Sequence, residues 1–179
     1  MISMKTVVLL IGSKDSGKTK TLKTFFRVNL SDETKPMQVH TRKLNRKDVL
    51  CVGLSSPQEL CSFCHSDEVK RNIEERVCIC EKETKGKDYF LIIPFEVYRN
   101  ASGEINSKCI IEPIMSLRVK GKVVLVYLRK GSAEINQSLD MLMTSLSVKN
   151  RIGSTMNYGK QAKELEEILR NEIDDQKRN

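Results

Sequence analysis

Four apolar runs rich in β-branched residues constrain this 179-residue chain more than any other feature. They cover residues 5–11, 48–54, 89–93 and 122–128. Continuous apolar runs of this length are typical of strands covered on both faces, and the helix-length intervals between them favour parallel crossovers. We therefore predict a three-layer α/β fold, in which helices flank a mostly parallel central sheet of four to five strands.

Amphipathic patterns between the runs predict the flanking helices. We expect helices over residues 17–28, 66–76, 107–119, 132–146 and 159–173. A helix start is expected at Ser56, with Pro57 in its first turn. The polar residues 29–47 predict a long loop with a short strand near 37–40, and residues 174–179 are expected to fray.

The segment GSKDSGKT follows the first predicted strand directly and precedes the first predicted helix. Its residues are Gly12, Ser13, Lys14, Asp15, Ser16, Gly17, Lys18 and Thr19. Small residues allow successive backbone N–H groups to turn toward one phosphate, and the following helix adds its N-terminal amides. The spacing matches G-x-x-x-x-G-K-[ST], in which Lys18 reaches the β- and γ-phosphates and the Thr19 hydroxyl ligates Mg²⁺.

On this motif and its strand–loop–helix setting, the chain resembles the P-loop NTPase superfamily. The resemblance implies a P-loop NTPase-like sheet, binding of ATP or GTP with Mg²⁺ by residues 12–19, and a catalytic role for Lys18. The loop alone also resembles those of molybdopterin-guanine dinucleotide biosynthesis adaptor proteins and some translational GTPases. The chain has no guanine-reading N-K-x-D sequence, so we expect ATP in preference to GTP.

The family pattern also requires an acidic residue at the end of a neighbouring strand. The third apolar run is expected to stop at Pro94, where an aspartate would be expected, and Glu96 is the nearest carboxylate beyond it. Glu96 is therefore the second candidate catalytic residue, and the alternative is a solvent-facing loop carboxylate. This departure puts rapid hydrolysis in doubt but leaves nucleotide binding intact.

Most of the net charge of +8 lies in the first fifty residues, which contain eleven Lys and Arg against four Asp and Glu. This basic third favours a phosphate-bearing partner, either a nucleotide, a nucleic acid or an anionic surface such as an acidic protein, and a solvated basic face is the alternative. Further candidate cations for a bound phosphate are Arg42, Lys43, Arg46, Lys47, Arg118, Arg129 and Lys130. Lys130 follows the fourth run and could contact the base or ribose.

Four of the six cysteines form two close pairs with a C-x₂-C-x₁₃-C-x-C spacing. They are Cys61, Cys64, Cys78 and Cys80. Four thiolates can hold a tetrahedral zinc ion. The alternative is buried, reduced thiols, because the second pair alternates with apolar residues as in a short strand. The segment 57–87 is thus a candidate for an inserted lid or a small metal-binding segment.

The sequence leaves two function classes open for a single nucleotide-binding domain over residues 1–179. The first is Mg²⁺-dependent NTP hydrolysis or phosphoryl transfer, as in a small NTPase or kinase. The second is a weakly hydrolysing or non-hydrolysing nucleotide-dependent adaptor that binds a protein or a nucleic acid. There is no apolar run long enough to span a membrane, and the N-terminal stretch lacks a cleavage site, so a cytoplasmic location is expected.

Overall fold

A computed structural model describes residues 5–60, 66–97, 102, 104–129, 133–153 and 157–178. These residues form one sheet of six strands. The strands are β1 (Lys5–Ser13), β2 (Val39–Leu44), β3 (Lys47–Val52), β4 (Tyr89–Val97), β5 (Lys122–Leu128) and β6 (Asn150–Ile152). The helices are α1 (Lys18–Phe26), α2 (Pro57–Leu60), α3 (Ser66–Thr84), α4 (Lys108–Lys120), α5 (Ala133–Ser145) and α6 (Tyr158–Arg178).

The strand order across the sheet is β2-β3-β4-β1-β5-β6. Neighbouring strands are parallel except β2 and β3, which form an antiparallel pair. The predicted α/β fold with a mostly parallel sheet is confirmed, but the sheet has six strands rather than four to five. The strands beyond the four apolar runs are the two edge strands, which carry a weak apolar signal because they are only partly buried. β2 occupies much of the long loop expected over residues 29–47, where only a short strand near 37–40 was predicted.

The helices cover both faces of the sheet, and each face has its own apolar core. On one face, Val8 and Leu10 of β1 pack with apolar side chains of α1 and α6. On the other face, Leu9 and Ile11 of β1 pack with side chains of α3, α4 and α5. β1 is therefore buried on both sides, which explains why its sequence reads as an unbroken apolar run.

β4 does not stop at Pro94, as predicted, but continues to Val97. The pairing of β3 with β4 covers only Tyr89 to Leu91, so β4 has no β3 ladder partner beside Pro94. The backbone amide of Glu96, two residues after Pro94, points to the same side of β4 as the backbone nitrogen of Pro94. This amide donates to the Gln58 side chain and not to a neighbouring strand. A proline is tolerated here because its missing N–H falls where no ladder hydrogen bond is needed.

Two helices are longer than the periodicity predicts. α3 extends to Thr84, so Cys78 and Cys80 lie on a helix and not on a short strand. α6 extends to Arg178 instead of fraying after residue 173, since Gln176 donates to the Thr6 hydroxyl at 2.8 Å. Within the described residues, no helix is long and apolar enough to cross a membrane.

Candidate functional site

The loop formed by residues 12–19 lies at the carboxyl end of β1, the strand between β4 and β5 in the sheet. The Ser16 N–H donates to the Ser13 carbonyl at 3.2 Å, which closes a compact turn. Ser16 packs directly against Gly12, because a Cβ built on Gly12 would lie 2.4 Å from the Ser16 hydroxyl oxygen. Only glycine at position 12 allows the loop to fold this tightly.

Helix α1 begins directly behind this loop. Gly17 precedes the helix in a left-handed conformation with φ 88°, without a side-chain cap, and the first turn carries no acidic residue. The first amides of a helix have no intrahelical acceptor, and the helix dipole makes this end positive. The sequence therefore leaves unneutralised N–H donors at the loop, an arrangement that suits an anion.

Lys18 is buried, with 5% of its surface exposed, and its ammonium group turns back onto the loop. Its Nζ atom donates to the carbonyls of Gly12 at 3.1 Å and Ser13 at 2.7 Å. Burial lowers the pKa of Lys18, and the nearby Glu96 opposes this shift. The positive charge is thus held against the loop mainly by backbone dipoles.

Glu96 lies beside the loop because of the register of the sheet. In the parallel pairing of β1 and β4, Glu96 is opposite Gly12. The residue is 2% exposed, and its Oε2 atom is 3.8 Å from Lys18 Nζ, an ion-pair distance that is too long for a hydrogen bond. That oxygen has no hydrogen-bond partner. The alternative of a solvent-facing Glu96 is therefore inconsistent with the structure.

A second carboxyl group, that of Glu59, lies close to Glu96. Glu59 accepts a hydrogen bond from the Ser56 N–H at 3.3 Å, so the helix start expected at Ser56 is confirmed and fixes the orientation of α2. Burial and then the Glu59 carboxyl raise the pKa of Glu96 to about 7, although Lys18 acts in the opposite direction. Two carboxyl groups and one buried ammonium group therefore share one small region.

A cavity of about 310 Å³ adjoins the loop. It is lined by Asp15, Ser16, Gly17, Lys18, Thr19, Lys20, Glu59 and Tyr158. Tyr158 packs over the start of α1, since a Cβ built on Gly17 would lie 2.8 Å from its ring. Lys20 Nζ is 5.3 Å from the centre of that ring. Sequence reasoning missed Glu59 and Tyr158 as site residues, because their positions depend on the packing of α2 and α6.

Thr19 is half-buried in the first turn of α1. Its hydroxyl donates to the Leu54 carbonyl at 3.2 Å, which leaves the oxygen lone pairs available to a cation. Hydroxyl and carboxylate oxygens are ligands that Mg²⁺ accepts. The Thr19 hydroxyl therefore fits as one ligand of a magnesium ion bound together with a phosphate.

Among the described residues, several of the other predicted cations have side chains that pair with groups away from the loop. Lys47 begins β3, at the opposite edge of the sheet, and pairs with Asp88 at 2.7 Å. Arg42 donates to the Phe25 carbonyl and pairs with Glu166 of α6, and Arg129 pairs with Asp140 at 3.2 Å.

Lys43 and Arg46 lie in or beside the β2–β3 turn, and Arg118 lies in the last turn of α4. Lys130 is outside the described residues.

The predicted zinc ligands are only partly within the described residues, since Cys61 and Cys64 lie outside them. Cys78 and Cys80 lie two positions apart on α3, where Cys78 is exposed and Cys80 is buried. Two positions on a helix correspond to a rotation of about 200°, so these thiols face nearly opposite directions. No group of three or more potential metal-ligating side chains occurs in the described ranges.

No model of a protein family matches this chain, and no curated protein is detectably similar to it in sequence. The chemistry of the site is therefore the basis on which a function can be proposed for this chain.

Proposed function

We propose that this protein binds a nucleoside triphosphate with Mg²⁺ at the 12–19 loop, in the manner of P-loop NTPases. The observation that carries the proposal is the arrangement around Lys18. A buried ammonium group, a positive helix end and a buried carboxylate converge on one glycine-rich turn at the carboxyl edge of a parallel sheet. Ligands of open α/β sheets bind at this edge.

In the bound state, the first amides of α1 and the loop amides donate to the phosphate oxygens. Lys18 exchanges its contacts with the Gly12 and Ser13 carbonyls for the β- and γ-phosphates. The Thr19 hydroxyl and a carboxylate at the site would be the protein ligands of a Mg²⁺ ion, which would supply neutralising charge to the phosphates. The buried setting strengthens each of these interactions relative to water.

Glu96 is the candidate for orienting the attacking hydroxyl group in hydrolysis or phosphoryl transfer. Its carboxylate can take a proton from the attacking hydroxyl group only when it is ionised, and its pKa of about 7 makes that form available near neutral pH. We propose ATP in preference to GTP, because the sequence contains no N-K-x-D motif. This function fits the cytoplasmic location that the sequence predicts.

One observation favours the second candidate function, a nucleotide-dependent adaptor with weak hydrolysis. Lys18 is bound to loop carbonyls, and Glu96 is buried beside it, so the site must rearrange before it is competent. A protein partner that triggers this rearrangement would couple hydrolysis to binding. A nucleic-acid partner is less supported, because Lys5, Arg42 and Lys47 of the basic third are already ion-paired.

Thermal and urea unfolding with Mg²⁺–ATP or Mg²⁺–GTP tests the proposal. A nucleotide at a hundred times its Kd is expected to raise the free energy of unfolding by about 2.7 kcal/mol. Lys18→Ala is expected to weaken binding at least about tenfold, because a charge-assisted hydrogen bond to phosphate is lost. Lys43→Ala, which removes a lysine whose side chain is 77% exposed, is the matched control and leaves the shift unchanged.

The outcomes separate the candidate functions. Steady phosphate release or transfer by the protein alone supports the enzyme, whereas nucleotide binding with negligible turnover supports the adaptor. A shift with GTP but not ATP contradicts the base preference. The absence of a shift with either nucleotide, or an equal shift in the Lys18→Ala protein, contradicts the nucleotide site.

A further inference from the structure

Tyr158 is the one aromatic side chain among the described residues that line the cavity beside the 12–19 loop. It is half-buried, so a ligand in the cavity can contact it. The other described lining residues are glycine, serine, threonine, lysine, aspartate and glutamate. Within this set, Tyr158 therefore offers the flat, largely apolar surface that a planar ring system can cover.

The ring of Tyr158 lies along the first turn of α1. A Cβ built on Gly17 would lie 2.8 Å from Cε1 of the ring and 3.4 Å from Cδ1, and Lys20 Nζ is 5.3 Å from the ring centre. Residues 17 and 20 are three positions apart, so they share one side of the helix. A phosphate held by the loop lies at the N-terminal end of α1. A ligand that extends from this phosphate along the same side of α1 meets the ring.

The packing of α6 against α1 fixes the position of the ring. The Asn157 side-chain oxygen accepts a hydrogen bond from the Lys160 N–H at 3.0 Å, which orders the first turn of α6. One turn further, the buried side chain of Gln161 accepts a hydrogen bond from the Thr21 hydroxyl at 2.6 Å. Because these contacts are present without a ligand, binding does not have to order this part of α6.

The contact between Lys20 and the ring can be exchanged for a ligand. Lys20 is exposed, and the attraction between an exposed ammonium group and an aromatic ring is weak. A nucleobase stacked on an aromatic side chain is bound more strongly than that. A displaced Lys20 still lines the cavity, where its charge favours the phosphates.

We propose that Tyr158 binds the base of the nucleotide by stacking, and that it binds purines more tightly than pyrimidines because the larger ring system covers more of the phenol ring. This inference rests on the proposed nucleotide function and adds the position of the base to it. Stacking accepts every base because every base has a π-face. It therefore fits a chain that has no N-K-x-D motif.

Three probes separate the base from the phosphates in calorimetric titrations of the full chain with Mg²⁺. The non-hydrolysable β,γ-imido form of ATP carries a purine, the same form of CTP carries a pyrimidine, and inorganic tripolyphosphate has no base. We expect the wild-type protein to bind the ATP analogue about threefold more tightly than the CTP analogue.

Variants of Tyr158 test the role of the ring. Tyr158→Ala is expected to weaken binding of the ATP analogue about tenfold, to reduce its advantage over the CTP analogue, and to leave the affinity for tripolyphosphate unchanged. Tyr158→Phe retains the ring and is expected to retain the preference for the ATP analogue.

Ile168→Ala is the matched control for Tyr158→Ala. It also removes a partly buried side chain from α6, but Ile168 packs on the apolar core and is not among the residues that line the cavity. We expect this variant to bind all three probes as the wild-type protein does. Thermal unfolding of each variant confirms that it is folded before affinities are compared.

Three results would overturn the assignment of the base to Tyr158. The first is unchanged affinity of the Tyr158→Ala protein for the ATP analogue. The second is an equal loss of affinity for the ATP analogue and tripolyphosphate, which would mean that the ring acts on the phosphates through Lys20. The third is an equal loss of ATP-analogue affinity in the Ile168→Ala protein, which would mean that the packing of α6 is responsible.

Failure of the proposed function gives a different pattern. If neither the ATP analogue nor tripolyphosphate binds, or if Lys18→Ala binds both as the wild type does, the nucleotide site is contradicted, and the assignment of the base is overturned with it. Binding of the ATP analogue that depends on Lys18 but not on Tyr158 overturns the assignment of the base alone.

Discussion

Charged side chains are partly exposed at one edge of the central sheet and buried at the other. At the amino edge, Lys47 pairs with Asp88 and Lys5 pairs with Glu81, and these side chains are between 29% and 41% exposed. At the carboxyl edge, Lys18 and Glu96 are 5% and 2% exposed, and Lys18 interacts chiefly with backbone carbonyls. The same lysine and carboxylate chemistry is therefore hydrated at one edge and desolvated at the other.

This difference supports the proposed site at the carboxyl edge. Exposed ion pairs cost little to form and contribute little to stability. Buried charges that are incompletely paired destabilise a protein, and such groups concentrate at binding and catalytic sites. The carboxyl edge retains a partnerless carboxylate oxygen at Glu96. It also holds a buried guanidinium group at Arg76, which donates to the backbone carbonyls of Gly53 and Ser55. Three predictions, ordered by expected effect, test this contrast between the edges.

The largest effect is expected for Arg76→Met at the carboxyl edge. The fully buried Arg76 donates from Nη1 to the Gly53 carbonyl at 3.2 Å and from Nη2 to the Ser55 carbonyl at 2.9 Å. Its loss leaves buried acceptors unpaired, so we expect the free energy of unfolding to fall by about 3 kcal/mol. Urea denaturation measures the change.

Arg71→Met is the matched control for this substitution, because Arg71 lies on the exposed side of the same helix. It is expected to change the free energy of unfolding by less than about 0.5 kcal/mol. Equal effects of the two substitutions would show that Arg76 does not stabilise the turn after β3, and would break the contrast between the edges.

The next effect is a pH dependence caused by Glu96. Since its pKa is raised from 4.5 to about 7 in the folded protein, the folded state binds this proton more tightly than the unfolded state. Its contribution to stability is therefore fully present below about pH 4.5 and is lost as the pH rises through 7. We expect the wild-type free energy of unfolding to fall by about 2 kcal/mol more than that of Glu96→Gln between pH 5 and 8.

Urea denaturation at several pH values in the absence of nucleotide and Mg²⁺ provides this comparison. Glu75→Gln, which removes an exposed carboxylate from α3, should retain the wild-type pH profile. If the Glu96→Gln profile also follows the wild type, the carboxylate is not desolvated in solution as it is in the structure.

The smallest effect is expected at the amino edge. Glu81→Gln breaks the ion pair with Lys5, but both side chains are more than one-third exposed. Water and salt screen such a pair, so we expect a loss of less than about 0.5 kcal/mol that decreases further at high salt. A loss as large as that of Arg76→Met in the same denaturation assay would show that the two edges do not differ as described.

Much of the fold was predictable because burial leaves a direct pattern in the sequence. All four predicted strands are present, and their parallel arrangement follows from the helix-length intervals between them. The edge strands β2 and β6 were harder to predict, since a strand with one open side need not be apolar. The continuation of β4 past Pro94 depends on where β3 stops pairing, which no local pattern reports.

In the candidate site too, some features could be predicted from local sequence and others depend on the whole fold. The 12–19 loop could be placed from its sequence, because a strand, glycine-rich turn and helix are adjacent along the chain. Glu96 could be named as a candidate, but its burial and its position opposite Gly12 follow from the β1–β4 register. The basic residues of the β2–β3 region were predicted as candidate contacts for a bound phosphate. The direction of β3 instead places Lys47 at the amino edge of the sheet, away from the 12–19 loop.

The sequence by itself determined the class of fold, the position of the loop and the residues that carry its charge. These features depend on local periodicity and on residues that are neighbours in the chain. Only the tertiary structure decided that Glu59 lies beside Glu96 and that Tyr158 packs over Gly17. Each of these contacts joins segments far apart in the chain, and their positions follow from strand register and helix packing, which are properties of the whole fold.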